Sequence, residues 1–275
     1  MPVPPSLSRA FAEQIRAVAP LQDGPWTERL LAAFAAVPRE DHAGPGPWLL
    51  RAPIKGLPAR RTPDADPAHL YHNVLIALDE ARDLNVGEPA LWARSLAHAP
   101  IEPGASILQV GTGGGYFTAL LSELAGPSGR VLATEIDSKL AAMAEASLAG
   151  RPNVTVRHAN GALDLAPDDG PFDLVVAFAG ATHPPRAWTS RLAPQGRLLA
   201  PLTGPDWAGA MILARPEGDG LAAETLSPCG FFPCEGARDP AMAERLAELF
   251  ANPARLSGFR FRIAPDGDGV RYLPD

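Results

Sequence analysis

Cysteine is scarce in this chain of 275 residues: the two cysteines, Cys229 and Cys234, both lie in the segment SPCGFFPCEG. A structural zinc site needs four ligands, and the pair falls short of that number. His69 and His72 could supply two more, but nothing in their spacing favours it. We predict no metal site, and we interpret both cysteines as small residues on or near a buried strand.

Long apolar runs are also missing. No window approaches eighteen consecutive apolar residues, which excludes a membrane-spanning helix. The first residues, MPVPPSLSRAFAEQ, lack the basic start and apolar stretch of a secretion signal. We therefore expect a cytoplasmic protein that has no membrane partner.

Basic residues are outnumbered. The chain has 24 Lys and Arg against 31 Asp and Glu, a formal charge of −7, and its lysines are Lys55 and Lys139 alone. Binding to phosphate backbones needs clustered basic side chains, and no basic stripe is present. The composition thus argues against nucleic acid as a partner. A hydrophobic content of 46% and a charged content of 20% are ordinary for a globular protein.

The first 84 residues predict a helical and loop-rich extension. SLSRAFAEQIRAV and TERLLAAFAAV repeat apolar residues at helical intervals, with Ser6 and Thr27 as possible N-caps and Pro38 after the second helix. A segment dense in proline and glycine follows, without helical period. Trp48 and Tyr71 offer it apolar anchors, so we expect an ordered loop region.

From residue 85 to residue 235 strands and helices alternate. The order is helix EPALWARSLAHA, strand SILQV, a glycine loop, and then further helices and strands as far as GRLLAPL. This alternation predicts an α/β domain with a mostly parallel sheet and helices on both faces. AGAMILAR and LAAETLSPCGFFPC add an antiparallel edge hairpin. Residues 236–275, with one helix and short strands, form a small C-terminal appendage.

The glycine loop runs from Gln109 to Tyr116 between a strand and a helix. Its glycines let the backbone approach a ligand closely, and the following helix offers its N-terminus. A dinucleotide fingerprint has glycine at the first, third and sixth positions, but the sixth position here is Tyr116. Gly111, Gly113 and Gly115 instead form the G-x-G-x-G arrangement of methyltransferases. Glu135 ends the next strand, where a carboxylate can accept hydrogen bonds from ribose hydroxyls.

Several segments, taken together and in this order, resemble the protein-L-isoaspartate O-methyltransferase family. They are Val37 to Asp41, Asn85 to Leu91, Gln109 to Tyr116, Glu135, Arg157 to Gly161, Pro171 to Asp173, Leu192 to Pro201 and Phe231 to Pro233. The resemblance implies a Rossmann-like sheet of seven strands that binds S-adenosylmethionine at the carboxyl ends of its strands. It also implies a cofactor site formed by Gly111, Thr112, Gly113, Gly115, Tyr116, Glu135, Ile136, Asn160 and Gly161.

Three departures from the family pattern fall inside this site. The family has Thr-Ile-Ser before Gln-Pro or Ala-Pro, with the serine at the reacting centre, whereas this chain has Asn85 to Pro89 with Gly87 and Glu88. The acidic residue that normally ends the first strand is Gln109, and the aspartate of Gly-Asp-Gly is Asn160. Gly87 removes a hydroxyl donor, and Glu88 would repel an anionic acceptor.

The leading hypothesis is therefore a methyltransferase with a changed acceptor: a carboxylate of a peptide or small molecule, a hydroxyl or a nitrogen. We expect Tyr71, Asn85, Gly87 and Glu88 to contact this substrate. An acceptor that loses a proton would need a base, for which His183 is the candidate. A cofactor-binding sensor or partner subunit without catalysis is the second hypothesis. An NAD-dependent oxidoreductase is third, disfavoured by Tyr116.

Overall fold

The computed structural model describes residues 3–54, 56–267 and 269–274. Its α-helices are α1 (Pro5–Val18), α2 (Pro25–Ala36), α3 (Pro89–Ala97), α4 (Tyr116–Ala125), α5 (Ser138–Leu148), α6 (Arg186–Thr189) and α7 (Pro240–Phe250). Its strands are β1 (Leu49–Arg51), β2 (Arg60–Arg61), β3 (Leu75–Asp79), β4 (Leu84–Asn85), β5 (Ser106–Val110), β6 (Arg130–Glu135), β7 (Val154–His158), β8 (Phe172–Ala177), β9 (Leu192–Thr203), β10 (Ala208–Glu217), β11 (Gly220–Gly230), β12 (Arg260–Asp266) and β13 (Gly269–Pro274).

Helix starts differ slightly from the sequence expectation. α1 begins at Pro5 and α2 at Pro25, so neither Ser6 nor Thr27 is an N-cap. Proline suits the first helical position because its φ is already helical and its missing N–H would have no partner there. Thr27 is buried, and its hydroxyl donates instead to the carbonyl of Gln22.

The main sheet confirms the α/β class. Its strand order is β13-β12-β11-β10-β9-β8-β5-β6-β7, and the five strands from β9 to β7 run parallel. Parallel strands covered on both faces read as continuous apolar runs, which is the pattern of SILQV and DLVVA. Their carboxyl ends meet at one edge, where the glycine loop after β5 and Glu135 at the end of β6 come together.

The sheet has nine strands rather than the seven expected. β12 pairs antiparallel with β11, Leu221 opposite Ile263, and β13 pairs with β12. The β10–β11 hairpin is therefore internal and not an edge, and the C-terminal appendage extends the main sheet. An uncovered β11 would leave a row of unpaired backbone groups, and β12 satisfies them while burying Phe261.

The loop-rich segment forms a second, small sheet that the sequence analysis missed. Its order is β2-β1-β3-β4, all antiparallel. Very short strands with few alternating residues leave no periodic signal in the sequence. The pairing of β3 with β4 delivers Asn85 and the residues after it to the start of α3.

Two apolar clusters lie on opposite faces of the main sheet. One contains side chains of α1 to α5, such as Phe11, Leu30 and Leu96, with Ile107 of β5. The other joins Leu108 of β5 to Leu246 of α7 and Phe261 of β12. The first cluster crosses the expected domain limit at residue 84 and the second crosses the limit at residue 235. The division at those limits stays a prediction. Within the described ranges, no helix is long and apolar enough to cross a membrane.

Candidate functional site

A cavity of about 970 Å³ opens at the carboxyl ends of β5, β6 and β8. Eleven of the predicted site residues line it: Asn85, Gly87, Glu88, Gly111, Thr112, Gly113, Tyr116, Glu135, Ile136, Asn160 and Gly161. They come from four separate stretches of the chain. Three of these end or follow parallel strands of the main sheet, and the stretch 85–88 comes from the small antiparallel sheet and the start of α3. The cavity is therefore the candidate site.

The glycine loop forms the floor of the cavity. Gly111 and Gly113 have φ of +85° and +56°, in the left-handed region that side chains other than glycine rarely adopt. The Thr112 hydroxyl donates to the carbonyl of Thr134 at 3.1 Å, which ties the loop to the end of β6. Bare backbone thus faces the cavity beside the N-terminus of α4, an arrangement that admits a ligand closely.

Glu135 is buried at the end of β6. Its Oε2 accepts a hydrogen bond from the Gly113 N–H at 2.8 Å, and its Oε1 accepts one from the Asp137 N–H at 3.0 Å. Each oxygen retains further acceptor capacity, because a carboxylate can accept about four hydrogen bonds. Asp137 is in turn held by Arg82, whose guanidinium lies 2.5 Å from it. The carboxylate of Glu135 is thereby fixed in orientation against the glycine loop.

Asn160 and Gly161 close the opposite wall. A Cβ on Gly161 would lie 2.2 Å from the Thr134 hydroxyl, so only glycine fits there. The Asn160 side-chain oxygen accepts from the Ala162 N–H at 2.9 Å. Its side-chain amide is neutral and so adds no charge to this wall. Beneath the loop, the Oε1 of buried Gln109 has no hydrogen-bond partner among the described residues.

The start of α3 holds Gly87 and Glu88 at the cavity wall. Glu88 occupies the N-cap position but makes no capping bond. Asn73 does so instead: its Oδ1 accepts from the Ala90 N–H at 2.8 Å, and its Nδ2 donates to Glu88 Oε1 at 3.1 Å. Asn73 was not among the predicted site residues, since no local pattern in the sequence connects it to a helix sixteen residues further on.

An aromatic cluster beside Gly87 was also missed. Trp92 stacks on Phe178 at a centroid distance of 3.7 Å and touches Phe117 and Phe231, and all four line the cavity. Gly87 has φ +93°, and a Cβ there would lie 3.3 Å from the Trp92 indole nitrogen. The aromatic residues exclude water from the wall next to the position where the family has its serine.

Three predicted site residues do not reach the cavity. Gly115, at the N-cap of α4, packs against α5, where an added Cβ would lie 3.0 Å from Leu148. Tyr71 is buried, and its hydroxyl donates to Glu40 at 2.7 Å. Helix and core contacts enclose both residues, so neither lines the cavity.

His183 is the third. It is partly buried outside the cavity, with its Nδ1 3.0 Å from the Thr182 hydroxyl. Burial lowers the pKa of its imidazole, and Asp239 opposes that shift. Phe178 and Ala179, directly after β8, line the cavity, but contacts with the start of α7 and with β13 hold the loop at Thr182 outside it. The Asp239 N–H donates to the Thr182 hydroxyl, and the Tyr272 hydroxyl donates to the Thr182 carbonyl. The structure thus places His183 outside the cavity, and its role as a base stays a prediction.

The two cysteines lie on this cavity. Both line its wall, Cys229 at the end of β11 and Cys234 shortly after it. Burial raises the pKa of the Cys234 thiol to about 12 and that of the Cys229 thiol further. Neither is therefore a thiolate near neutral pH.

His42 supports the glycine loop from outside. Its ring is buried, and Nδ1 lies 3.1 Å from the Gly114 carbonyl and 3.0 Å from the Ser147 hydroxyl. A proton on Nδ1 lets the neutral ring donate to Gly114. Burial lowers the pKa of His42 below its usual 6.5, although the Gly114 bond opposes this shift.

We expect this burial to make stability depend on pH. The imidazole of His42 takes up a proton more readily in the unfolded chain than in the folded one. The contribution of neutral, buried His42 to the free energy of unfolding is therefore fully present above pH 6.5 and is lost as pH falls through the lowered pKa. Urea unfolding at several pH values checks this. His42→Gln should flatten the pH dependence below 6.5, whereas His98→Gln, at an exposed position, should not. Equal slopes in all three proteins would contradict the assignment.

The fold and the site define the class: a Rossmann-like methyltransferase fold with a glycine loop and an acidic strand end at its cavity. A protein-L-isoaspartate O-methyltransferase of known structure superposes with a TM-score of 0.69 at 17% identity, over 98% of this chain and 88% of the other. A Plasmodium falciparum protein assigned to that family, solved with S-adenosyl-L-homocysteine, has a TM-score of 0.62 at 16% identity, over 83% and 98%. These likenesses show the fold.

The sequence model of the family described as protein-L-isoaspartate(D-aspartate) O-methyltransferase matches residues 65–238. A protein-L-isoaspartate O-methyltransferase of Koribacter versatilis is 33% identical over 78% of this chain and 86% of its own length. Another from a Roseiflexus species is 30% identical over 82% and 94%. The chain belongs to the protein-L-isoaspartate O-methyltransferase family.

Proposed function

We propose that the chain is an S-adenosylmethionine-dependent methyltransferase whose acceptor differs from an isoaspartyl peptide. The residues present fit the cofactor. The bare backbone of Gly111 and Gly113, the close approach at Gly161 and the fixed carboxylate of Glu135 form a cradle for a nucleoside with ribose hydroxyls. Ile136 at the rim is 46% exposed and offers an apolar contact. When bound, the cofactor supplies an electrophilic methyl group.

The changed acceptor rests on a single observation: Gly87 and Glu88 line the cavity where the family places a serine and a neutral residue. A carboxylate acceptor is already a nucleophile, so the protein must mainly align and desolvate it. Without a hydroxyl at position 87, one donor to that carboxylate is lost. Glu88, held at the wall by Asn73, places a negative charge beside it instead.

Cofactor binding is tested directly. We expect S-adenosylhomocysteine to raise the melting temperature and NAD to leave it unchanged. Saturation at a hundredfold excess over the dissociation constant stabilises a protein by about 2.7 kcal/mol. Thermal unfolding and titration calorimetry check this. The absence of both heat and thermal shift with S-adenosyl ligands would refute the proposal.

We also expect methyl transfer to an isoaspartyl hexapeptide to be about ten- to a hundredfold slower than in a repair enzyme of the family. A missing hydrogen bond to a charged group costs about 1.5–3 kcal/mol, which corresponds to that range. Transfer from labelled S-adenosylmethionine, with both proteins run in parallel, measures it. A comparable rate in the two would show that Gly87 and Glu88 do not restrict the acceptor.

Glu88→Gln is the sharper variant for this test, because it removes only the charge. Gly87→Ser would add the missing hydroxyl, but at φ +93° a side chain is strained and its Cβ crowds Trp92. We therefore expect Glu88→Gln to recover part of the isoaspartyl activity and the double variant to recover no more. Binding of S-adenosylhomocysteine without methylation of any acceptor would favour the sensor hypothesis.

A further inference from the structure

Arg94 lies on the same cavity and has no assigned role. We propose that it anchors a carboxylate of the methyl acceptor, an inference that rests on the proposed function. The acceptor would then be a carboxylate-bearing molecule, held at a point separate from the group that is methylated.

The position of Arg94 follows from the geometry of α3. Glu88, Leu91 and Arg94 are spaced by three residues, so they lie along one side of the helix, and all three line the cavity. Six residues of helix span about 9 Å along the axis. The cavity wall therefore carries an acid beside Gly87, an apolar side chain and then a guanidinium.

Arg94 differs from the other cavity arginines in having no partner. Arg51 lies 2.6 Å from Asp83, and Arg82 contacts Asp137 and Asp79 at 2.5 and 2.8 Å. For the part of the chain that the structure describes, Arg94 has no ion pair, hydrogen bond or aromatic face to contact. Its Nε is buried without an acceptor, and the side chain is partly buried.

A guanidinium that is partly withdrawn from water without a partner is unfavourable, and such a group calls for an explanation. A carboxylate supplied by a ligand would satisfy it with two parallel hydrogen bonds. A doubly charged phosphate fits less well, because Glu88, Glu135 and Glu235 line the same cavity and would repel it.

The anchored carboxylate is distinct from the reacting group. An ion pair with arginine withdraws charge from carboxylate oxygens and weakens them as nucleophiles. The reacting group belongs nearer Gly87, about two helical turns away from Arg94. There, Glu88 favours a neutral or positively charged part of the acceptor. The wall thus selects a molecule with a carboxylate at one end and no negative charge at the other.

The experiment compares the full chain with Arg94→Gln, Arg94→Lys and Arg60→Gln. Arg60 is exposed outside the cavity, so Arg60→Gln is the control that removes the same charge from the protein without changing the cavity. With S-adenosylhomocysteine saturating, binding of succinamate, which has one carboxylate and one neutral amide end, and of the neutral diamide of succinate is followed by ligand-observed nuclear magnetic resonance. We expect the unmodified protein and Arg60→Gln to bind succinamate equally and the diamide not at all. Arg94→Gln should bind succinamate at least about tenfold more weakly, with Arg94→Lys between them.

A parallel calorimetric measurement compares S-adenosylhomocysteine with 5′-methylthioadenosine, which lacks the amino-acid carboxylate. We expect Arg94→Gln to bind both as the unmodified protein does. If it loses affinity for S-adenosylhomocysteine alone, Arg94 binds the cofactor's carboxylate and the proposal is wrong. Absence of succinamate binding to the unmodified protein, or equal binding in Arg94→Gln, would also overturn the proposal. Failure of S-adenosylhomocysteine to bind the unmodified protein would instead refute the proposed function.

Discussion

Replacing Arg39 with alanine is expected to lower the free energy of unfolding by about 3–5 kcal/mol. The Arg39 side chain is 1% exposed, and its guanidinium donates to the carbonyls of Leu70, His72 and Val74 at 2.5, 2.6 and 3.1 Å. Alanine would leave those carbonyls without their donor in a buried place. Urea unfolding followed by circular dichroism measures the change.

Two further variants make this test specific. Arg39→Lys keeps a charge but cannot reach all three carbonyls from one ammonium group, so we expect an intermediate loss. Arg60→Ala, at an exposed site, should change stability by less than about 0.5 kcal/mol. If Arg39→Ala changes the free energy of unfolding as little as Arg60→Ala does, the three hydrogen bonds do not stabilise residues 70–74.

Replacing Arg39 should also disturb the candidate site, because the segment whose carbonyls it binds, residues 70–74, contains Asn73. Asn73 caps α3 and holds Glu88 at the cavity wall. Arg39 thus acts through Asn73 as a positioning residue rather than by contact with a ligand. Arg39 belongs to the segment Val37 to Asp41, which the sequence analysis connected to the family only by resemblance. Through Asn73, this segment is linked to the cavity wall at Gly87 and Glu88.

Glu135→Ala should weaken the binding of S-adenosylhomocysteine by about 1.5–3 kcal/mol, a factor of about ten to a hundred. The variant removes the carboxylate proposed to bind the ribose and also the acceptor for the Gly113 and Asp137 N–H groups. Titration calorimetry on protein shown to be folded measures the loss.

Glu123→Ala is the matched control, since Glu123 is exposed on α4 and forms an ion pair with Arg151 outside the cavity. Its affinity should equal that of the unmodified protein. Glu135→Gln keeps the shape and loses the charge, and we expect it to lie between the two. Unchanged affinity in Glu135→Ala would mean that Glu135 only orders the loop.

The resemblance and local patterns together predicted much of the site. Gly111, Gly113, Glu135 and Gly161 lie where strand ends are expected to meet, because each immediately follows or ends a recognisable strand or motif. Short-range periodicity fixes which segments are strands, and parallel strands bring their carboxyl ends to one edge. Eight of the eleven predicted residues that line the cavity, those from Gly111 to Gly161, do so for this reason.

The predicted site residues that lie outside the cavity are placed there by contacts between distant segments. His183 follows a strand of the sheet just as Gly111 does, yet β13 and α7 hold its loop outside the cavity. Gly115 belongs to the same glycine pattern as Gly111, but it begins α4 and faces α5. Spacing along the chain does not tell which side of a loop faces a ligand.

The amino-acid sequence by itself determined the α/β class, the glycine loop and the acidic strand end, because these features arise from neighbours within a few residues. Only the tertiary structure decided that β12 and β13 complete the main sheet, since strand neighbours are chosen by pairing across the fold. It alone also brought Asn73 to Glu88 and left Arg94 unpaired among the described residues of the cavity. Contacts between side chains depend on how distant segments pack together, and neither composition nor periodicity predicts that packing.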